Sequence, residues 1–233
     1  MRALALSFAL AAAAAPAVAS ETITEATYDD PTTRYAHGVL GDPVEWGTLQ
    51  IVTSQGRTLR IELPDERVFE DLEPRLADLD LDGKPEVIAV ESHRNFGARL
   101  AIYGTDGLIT ATDWIGTRFR WLAPVGAADF DGNGTMDIAY VDRPHLAKTI
   151  RVLSFDKGEL QALVSLPGFS NHKIGEDFIS GGIRNCGNGP EMIVARGDWS
   201  EIVALRWSDG GFTENPLFAE TTQDAFAAAL ECT

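Results

Sequence analysis

The sequence predicts an all-β fold that ends in one short helix, and three features of its 233 residues support this prediction. Short apolar runs, many of them rich in β-branched residues, alternate with glycine-containing turns. Four of these turns recur at a nearly constant spacing, and two acidic loops lie in register with them. We therefore expect a small β-propeller of four four-stranded blades, with a repeat of about 51 residues per blade.

The glycine turns define the repeat. Gly56, Gly107, Gly158 and Gly210 are 51, 51 and 52 residues apart, and the apolar runs around each turn predict a β-hairpin. A second pair of strands upstream of each hairpin completes a unit of four strands, less clearly in the first unit than in the others. A β-sandwich also has closely spaced short strands, but it gives no reason for four equivalent turns at a constant interval.

The predicted domain organisation follows from this spacing. The propeller spans residues 20–221, in units of approximately 20–69, 70–120, 121–171 and 172–221. Residues 222–233 form a helical tail, for which Thr222 is a candidate N-cap.

Residues 1–19 read as a cleaved signal peptide. A basic start at Arg2 precedes an apolar run from Ala3 to Ala15, and the small-residue pattern at residues 17–19 is typical of a cleavage site. The alternative is a membrane anchor, but the run is shorter than the ~20 residues that a spanning helix needs. No later segment is long enough to span a membrane. We expect export to the periplasm or the extracellular space.

Two cysteines, Cys186 and Cys232, suggest one disulfide in an exported chain, with two free thiols as the alternative. The charge balance also restricts the partners. There are 35 acidic against 19 basic side chains, for a formal charge of −16. This excess argues against nucleic acid or an anionic membrane as a partner, because both attract a basic surface. It points towards cations.

Two acidic loops carry the most specific chemical signal, because both fit the pattern D-x-D-x-[DN]-G-x-x-[DE]. The matching side chains are Asp78, Asp80, Asp82 and Glu86 in the first loop and Asp129, Asp131, Asn133 and Asp137 in the second. Oxygens at positions 1, 3, 5 and 9 of a tight turn converge on one point, as in a Ca²⁺ site. Neither loop contains the His or Cys that zinc prefers. The alternative is a solvated acidic turn without metal. It could account for a single loop of this kind, but it gives no reason for two such loops in register with the repeat.

These loops are not EF-hands, because Ala89 and Tyr140 occupy the twelfth position and a strand pattern follows. Together with the repeat they resemble the FG-GAP/VCBS repeats of integrin-like β-propellers. The resemblance implies a Ca²⁺-stabilised propeller with two sites. It assigns the ligand role to the eight side chains above and a main-chain carbonyl role to Lys84 and Thr135. In the fourth unit Arg184 and Cys186 replace the first two aspartates, so we expect no metal there and a bracing disulfide between Cys186 and Cys232 instead.

The loops at the opposite ends of the strands form a candidate binding face, although ordinary solvated loops would have the same composition. Its residues are His93, Arg94, Arg143, His145, Arg196 and Trp199. No catalytic motif is present in the sequence. We therefore expect an exported calcium-binding, non-enzymatic binding or scaffold module with a protein or carbohydrate ligand. The alternative is an exported metal-dependent hydrolase with its site on the propeller face.

Overall fold

A computed structural model describes residues 20–232, so the predicted signal peptide lies outside the described residues. The described chain forms seventeen strands and one short helix, which confirms the all-β fold. The elements are β1 (Ile23–Thr32), β2 (Glu45–Thr53), β3 (Thr58–Glu62), β4 (Arg67–Phe69), β5 (Arg75–Ala77), β6 (Glu86–His93), β7 (Gly97–Gly104), β8 (Gly107–Ala111), β9 (Leu122–Ala128), β10 (Asp137–Asp142), β11 (Thr149–Asp156), β12 (Glu159–Pro167), β13 (Phe169–Ser170), β14 (Gly182–Asn185), β15 (Pro190–Arg196), β16 (Ile202–Ser208), β17 (Gly211–Phe218) and α1 (Gln223–Leu230).

The third unit has the simplest sheet, in which β9, β10, β11 and β12 pair antiparallel in sequence order. In the second unit the first strand is divided, because β4 and β5 both pair with the same edge of β6. The fourth unit repeats this arrangement, with β13 and β14 both on the edge of β15. The first unit has the three strands β1, β2 and β3, and β2 also pairs with β4 through Trp46 and Phe69, so units one and two share one eight-stranded sheet. The four predicted hairpins are all present.

Apolar side chains join the units in series. One core lies between units one and two, a second between units two and three, and a third between units three and four. Alternation along β15 sends Met192 and Val194 into the core shared with unit three, and Ile193 and Ala195 to the opposite face. There α1 covers them with Phe226 and Ala229.

The chain of units ends differently at its two ends. Units one and four also meet: Val39 and Ile179 belong to the same apolar cluster, and the Gly175 amide donates to the Val39 carbonyl at 3.3 Å. The outer face of unit one is polar, where Arg60 forms ion pairs of 2.9 Å with Asp29 and with Asp30. Unit four is covered by α1, which Thr222 caps as predicted by accepting a hydrogen bond from the Ala225 amide at 3.2 Å. The outer surfaces of units one and four therefore differ, one being polar and the other covered by a helix.

The predicted disulfide between Cys186 and Cys232 is present, with Cα atoms 5.8 Å apart. It ties the residues that follow α1 to the loop between β14 and β15. No helix within residues 20–232 has the length and apolar character needed to cross a membrane.

Candidate metal loops and the opposite face

Each acidic loop joins the first strand of its unit to the second. The first lies between β5 and β6, and the second lies between β9 and β10. The acid at position 9 begins the next strand in both cases, so sheet pairing fixes its place: Glu86 lies opposite Ala77, and Asp137 lies opposite Ala128.

An apolar side chain anchors each loop at position 2. Leu79 is fully buried and Phe130 is 4% exposed, and each belongs to an inter-unit core. The Leu79 amide donates to Glu86 Oε2 at 2.8 Å, and the Phe130 amide donates to Asp137 Oδ2 at 3.2 Å. Core packing therefore holds the acid at position 9 in the same orientation in both loops.

The turn itself has the same hydrogen bonds in both loops. The Gly83 amide donates to Asp78 Oδ2 at 3.0 Å, and the Gly134 amide donates to Asp129 Oδ2 at 2.9 Å. These two glycines have φ values of 86° and 85°, in the region where a Cβ atom is strained. The requirement for glycine at position 6 follows from this turn.

Three carboxylates converge in each loop. One oxygen from each of Asp78, Asp80 and Glu86 lies within 4.8 Å of the other two, and the same holds for Asp129, Asp131 and Asp137. The side chain at position 5 takes other partners. Asp82 forms an ion pair of 2.9 Å with Lys84 and is exposed, and Asn133 Oδ1 accepts from the Thr135 amide at 2.7 Å. The main-chain carbonyls of Lys84 and Thr135 remain proposed ligands.

The electrostatics of both loops favour a cation. Asp78 Oδ1 and Asp137 Oδ1 are buried and have no hydrogen-bond partner among the described residues. Burial raises the pKa of Glu86, and the carboxylates of Asp80 and Asp78 raise it further. Burial also raises the pKa of Asp137 to about 6. A cation with oxygen ligands would supply the missing partner and favour the ionised acids, so the residues present fit such an ion.

The corresponding loop of unit four contains its own positive charge. Arg184 pairs in register with Glu191 across β14 and β15, and its Nη2 lies 2.8 Å from Glu191 Oε2. Arg184 Nη1 also donates to the Ala229 carbonyl near the end of α1 at 2.5 Å. A guanidinium group and a disulfide therefore occupy the place of the predicted metal ligands, as the two replacements in the sequence suggest.

The candidate binding face lies beyond the other ends of the same strands. Seven residue steps separate Glu86 from His93 in β6, or about 23 Å. Three of the arginines there are paired: Arg94 with Glu66 at 3.4 Å, Arg143 with Asp142 at 2.7 Å and Arg196 with Glu201 at 2.6 Å. The Trp199 ring lies 4.3 Å from the Lys173 ammonium.

The two histidines of this face have different surroundings. His93 packs against Phe96 and Trp114, whereas His145 is hydrogen-bonded to His172 at 2.9 Å. His145 also lines a small cavity together with His37. The sequence gives no signal for His37 or His172, because each is a single histidine in a separate connection and only the tertiary fold brings them near His145.

Comparison with known proteins supports part of this picture. Residues 78–140 match the model of the FG-GAP-like repeat. No curated protein matches the chain. Two solved structures are similar to 88% of this chain: exotype rhamnogalacturonan lyase YesX, at 13% identity and a TM-score of 0.48, and rhamnogalacturonan lyase YesW, at 14% identity and a TM-score of 0.46. The chain covers 50% and 52% of these structures, or about half their length. Residues 78–140 contain both acidic loops, and the match of this part of the chain to the FG-GAP-like repeat confirms the resemblance found in the sequence.

Proposed function

We propose that the protein is an exported, calcium-binding module in which one Ca²⁺ ion braces each acidic loop and the opposite loops bind a protein or carbohydrate ligand. On this proposal the four units correspond to blades of the FG-GAP type. One observation carries the calcium proposal. Three carboxylate oxygens converge in each loop, and one buried carboxylate oxygen of each set lacks a hydrogen-bond partner among the described residues.

The proposed ligands come from positions 1, 3, 5, 7 and 9 of each loop. They are Asp78, Asp80, Asp82, Glu86 and the Lys84 carbonyl in the first loop, and Asp129, Asp131, Asn133, Asp137 and the Thr135 carbonyl in the second. To bind the ion, the Asp82 carboxylate would have to give up its ion pair with the Lys84 ammonium. Ca²⁺ suits this set better than Mg²⁺, because it accepts many oxygen ligands in a flexible geometry.

The ion would stabilise the fold rather than take part in a reaction. It would hold the turn closed between two strands whose side chains reach the inter-unit cores, and it would neutralise acids that burial makes costly. A calcium ion surrounded by protein oxygens has no open coordination position, whereas metal-assisted catalysis needs one. We therefore propose a binding or scaffold role without enzymatic activity.

Isothermal titration calorimetry of chelator-treated protein with CaCl₂ tests the proposal. We expect two sites with dissociation constants of roughly 10⁻⁴–10⁻³ M, the range of extracellular calcium modules. An Asp80→Ala, Asp131→Ala double variant should bind no Ca²⁺. The matched control is Asp106→Ala, in the hairpin turn of unit two and outside the acidic loops, which should bind two ions. No heat and no change in melting temperature with the unmodified chain would contradict the proposal.

Export is tested separately, by expressing the full chain and sequencing the N-terminus of the product. We expect the periplasmic or secreted form to begin at Ser20, after cleavage of residues 1–19. Retention of the intact N-terminus on protein in the cytoplasm would contradict export and would leave the calcium measurement unaffected.

A further inference from the structure

A groove of about 540 Å³ lies between units two and three, beside Arg143 of the candidate binding face. One wall is the segment from Ala111 to Ile115, which leads out of β8, and the other wall consists of residues of β10, β11 and β12 together with Arg143. Pockets that bind small organic ligands have volumes of about 300–1,000 Å³. The groove is therefore large enough to hold an organic ligand.

Tyr140 lines this groove, and its hydroxyl group has no hydrogen-bond partner among residues 20–232. The residue is only 6% exposed. Burial raises the pKa of Tyr140 to about 12, and the Asp142 carboxylate raises it further, so the hydroxyl keeps its proton at pH 7. A buried hydroxyl without a partner costs free energy, which a hydrogen bond to a ligand would recover. Tyr140 therefore supplies the groove with a donor that the fold itself does not use.

Three charged side chains lie beside Tyr140 in the same wall. Arg151 is directly opposite Tyr140 in the pairing of β10 with β11. Asp142 accepts from Arg143 at 2.7 and 3.0 Å and from Arg151 Nη2 at 3.4 Å, and Arg151 Nη1 donates to Ser165 Oγ at 2.6 Å. Arg143 Nη1 and Arg151 Nε have no acceptor among the described residues. This wall thus offers two further donors next to the tyrosine hydroxyl.

The facing wall offers an acceptor. Asp113 is exposed, and its carboxylate has no hydrogen bond or ion pair with any other described residue. The lining contains two aspartates and two arginines, so its net formal charge is zero. Apolar side chains, among them Ile115, Leu153 and Leu160, form the remainder of the lining. A ligand that fits this groove is uncharged, has groups that both donate and accept, and has an apolar surface.

We propose that the groove binds a neutral saccharide. Its hydroxyl groups accept from the Tyr140 hydroxyl and from the two guanidinium groups, and they donate to the Asp113 carboxylate, because each hydroxyl can do both. Its C–H groups pack on the apolar part of the lining. An acidic sugar would instead bring a second anion towards Asp113. The inference rests on the binding role proposed above and selects the saccharide from the two ligand classes.

The first test is calorimetry in the presence of Ca²⁺ with three neutral tetrasaccharides, built from glucose, galactose or mannose. Each is compared with the tetrasaccharide of the corresponding uronic acid. We expect at least one neutral tetrasaccharide to bind, and its acidic counterpart to bind at least about tenfold more weakly. No binding of any neutral tetrasaccharide, or tighter binding of the acidic forms, would overturn the proposal. The calcium titration described above is independent of either result.

The second test places the ligand in the groove. Tyr140→Phe should weaken binding of the neutral tetrasaccharide about fivefold, because one hydrogen bond is lost. The matched control is Tyr28→Phe, whose hydroxyl is also buried and without a partner among the described residues but which packs between units one and two. It should leave the affinity unchanged. Asp113→Ala should also weaken binding about fivefold, and this exposed position keeps the test valid if Tyr140→Phe fails to fold.

The outcomes separate the groove from the proposed function. Unchanged affinity in both Tyr140→Phe and Asp113→Ala would overturn the groove as the site, whereas the binding role of the protein would stand. Mass spectrometry of the recovered tetrasaccharide should show it intact. A cleaved product together with weakened binding in both variants would support the groove and contradict the proposed role without enzymatic activity.

Discussion

The acidic loop of unit two and the corresponding loop of unit four lie at the same place, between the first and second strands of a sheet, but they differ in what neutralises the acid of the second strand. Burial raises the pKa of Glu86 in unit two, and the other carboxylates of its loop raise it further. Glu191 in unit four pairs with Arg184 at 2.8 Å. On the calcium proposal, the same fold position takes its positive charge from an ion in unit two and from a side chain in unit four.

The two loops also differ in how the chain is held together. Unit four has a disulfide from Cys186 to Cys232, and Arg184 also donates to the Ala229 carbonyl. Both contacts fix α1, which covers the end of the series of sheets. Units two and three have no such link in their loops and depend on hydrogen bonds within the turn. Calcium dependence should therefore be confined to units two and three.

Removal of calcium should have the largest effect. Two sites that are saturated at a hundred times their dissociation constants stabilise the folded state by about 2.7 kcal/mol each. We expect chelation to lower the melting temperature by roughly 10–20 °C, as followed by circular dichroism. Restoring Ca²⁺ should reverse this change. An unchanged melting temperature would contradict calcium bracing in units two and three.

Removal of the disulfide should come next. The Cys186→Ser, Cys232→Ser variant releases a loop with a sequence separation of 46 residues, which corresponds to about 4 kcal/mol in the chain-entropy estimate. Chemical denaturation with Ca²⁺ present measures this loss. The number of bound Ca²⁺ ions should remain two, and a loss of one ion would show that the disulfide supports a metal loop.

Removal of the guanidinium group isolates the charge in unit four. Arg184→Met leaves Glu191 largely buried without its closest partner, and we expect a loss of about 3 kcal/mol that Ca²⁺ does not restore. Arg206, at 3.8 Å from Glu191, should limit the loss. The Arg184→Met, Glu191→Met double variant should recover most of it. Full rescue of the single variant by Ca²⁺ would mean that unit four can also hold an ion.

The pH dependence of the free energy of unfolding should report on Asp137 of the second loop in the calcium-free protein. Asp137 has a folded pKa of about 6, above the ordinary value, so its protonated form is favoured on folding. Calcium-free protein should therefore lose stability as the pH rises from about 4 through 6, by about 2–3 kcal/mol from this group. The stabilisation by Ca²⁺ should correspondingly grow over the same interval. Asp137→Asn should reduce both slopes in thermal melts, and unchanged slopes would contradict this assignment.

The smallest expected effect compares the two metal loops with each other. At position 4 the second loop has Gly132 with φ 73°, whereas the first has Leu81 with φ 60° and an exposed side chain. Leu81→Gly should remove backbone strain and stabilise the protein by at most about 1 kcal/mol. Gly132→Leu should have the opposite sign. Equal destabilisation by both changes in denaturant titrations would show that the turn strain is unimportant.

Local sequence features predicted the loops and hairpins because their geometry depends on a few neighbouring residues. The spacing of Asp78, Asp80 and Glu86 brings their oxygens together through one turn, and the hairpin glycines allow the chain to reverse. The replacement of two aspartates by Arg184 and Cys186 likewise indicated that unit four differs. The ion pair between Arg184 and Glu191 was not predicted, because it depends on the register of two strands.

Features that depend on distant parts of the chain were also missed. The first strands of units two and four are divided, since residues between their halves bury polar side chains at contacts with distant parts of the chain, Glu70 with His37 and Asn171 with the Ala123 carbonyl of β9. The repeat spacing did not show how the series of units ends. That depends on which faces of β1 and β2 are polar and on the side of β15 that α1 covers. The cavity between His37 and His145 has the same origin.

Native mass spectrometry of the disulfide-bonded protein tests the central claim most directly, because it counts ions. With Ca²⁺ present we expect two bound ions for the unmodified chain and for the Arg184→Met variant. We expect one bound ion for the double variant Asp78→Asn/Glu86→Gln and one for the double variant Asp129→Asn/Asp137→Asn. Two ions in either loop variant, or none in the unmodified chain, would contradict the assignment of one calcium ion to each acidic loop.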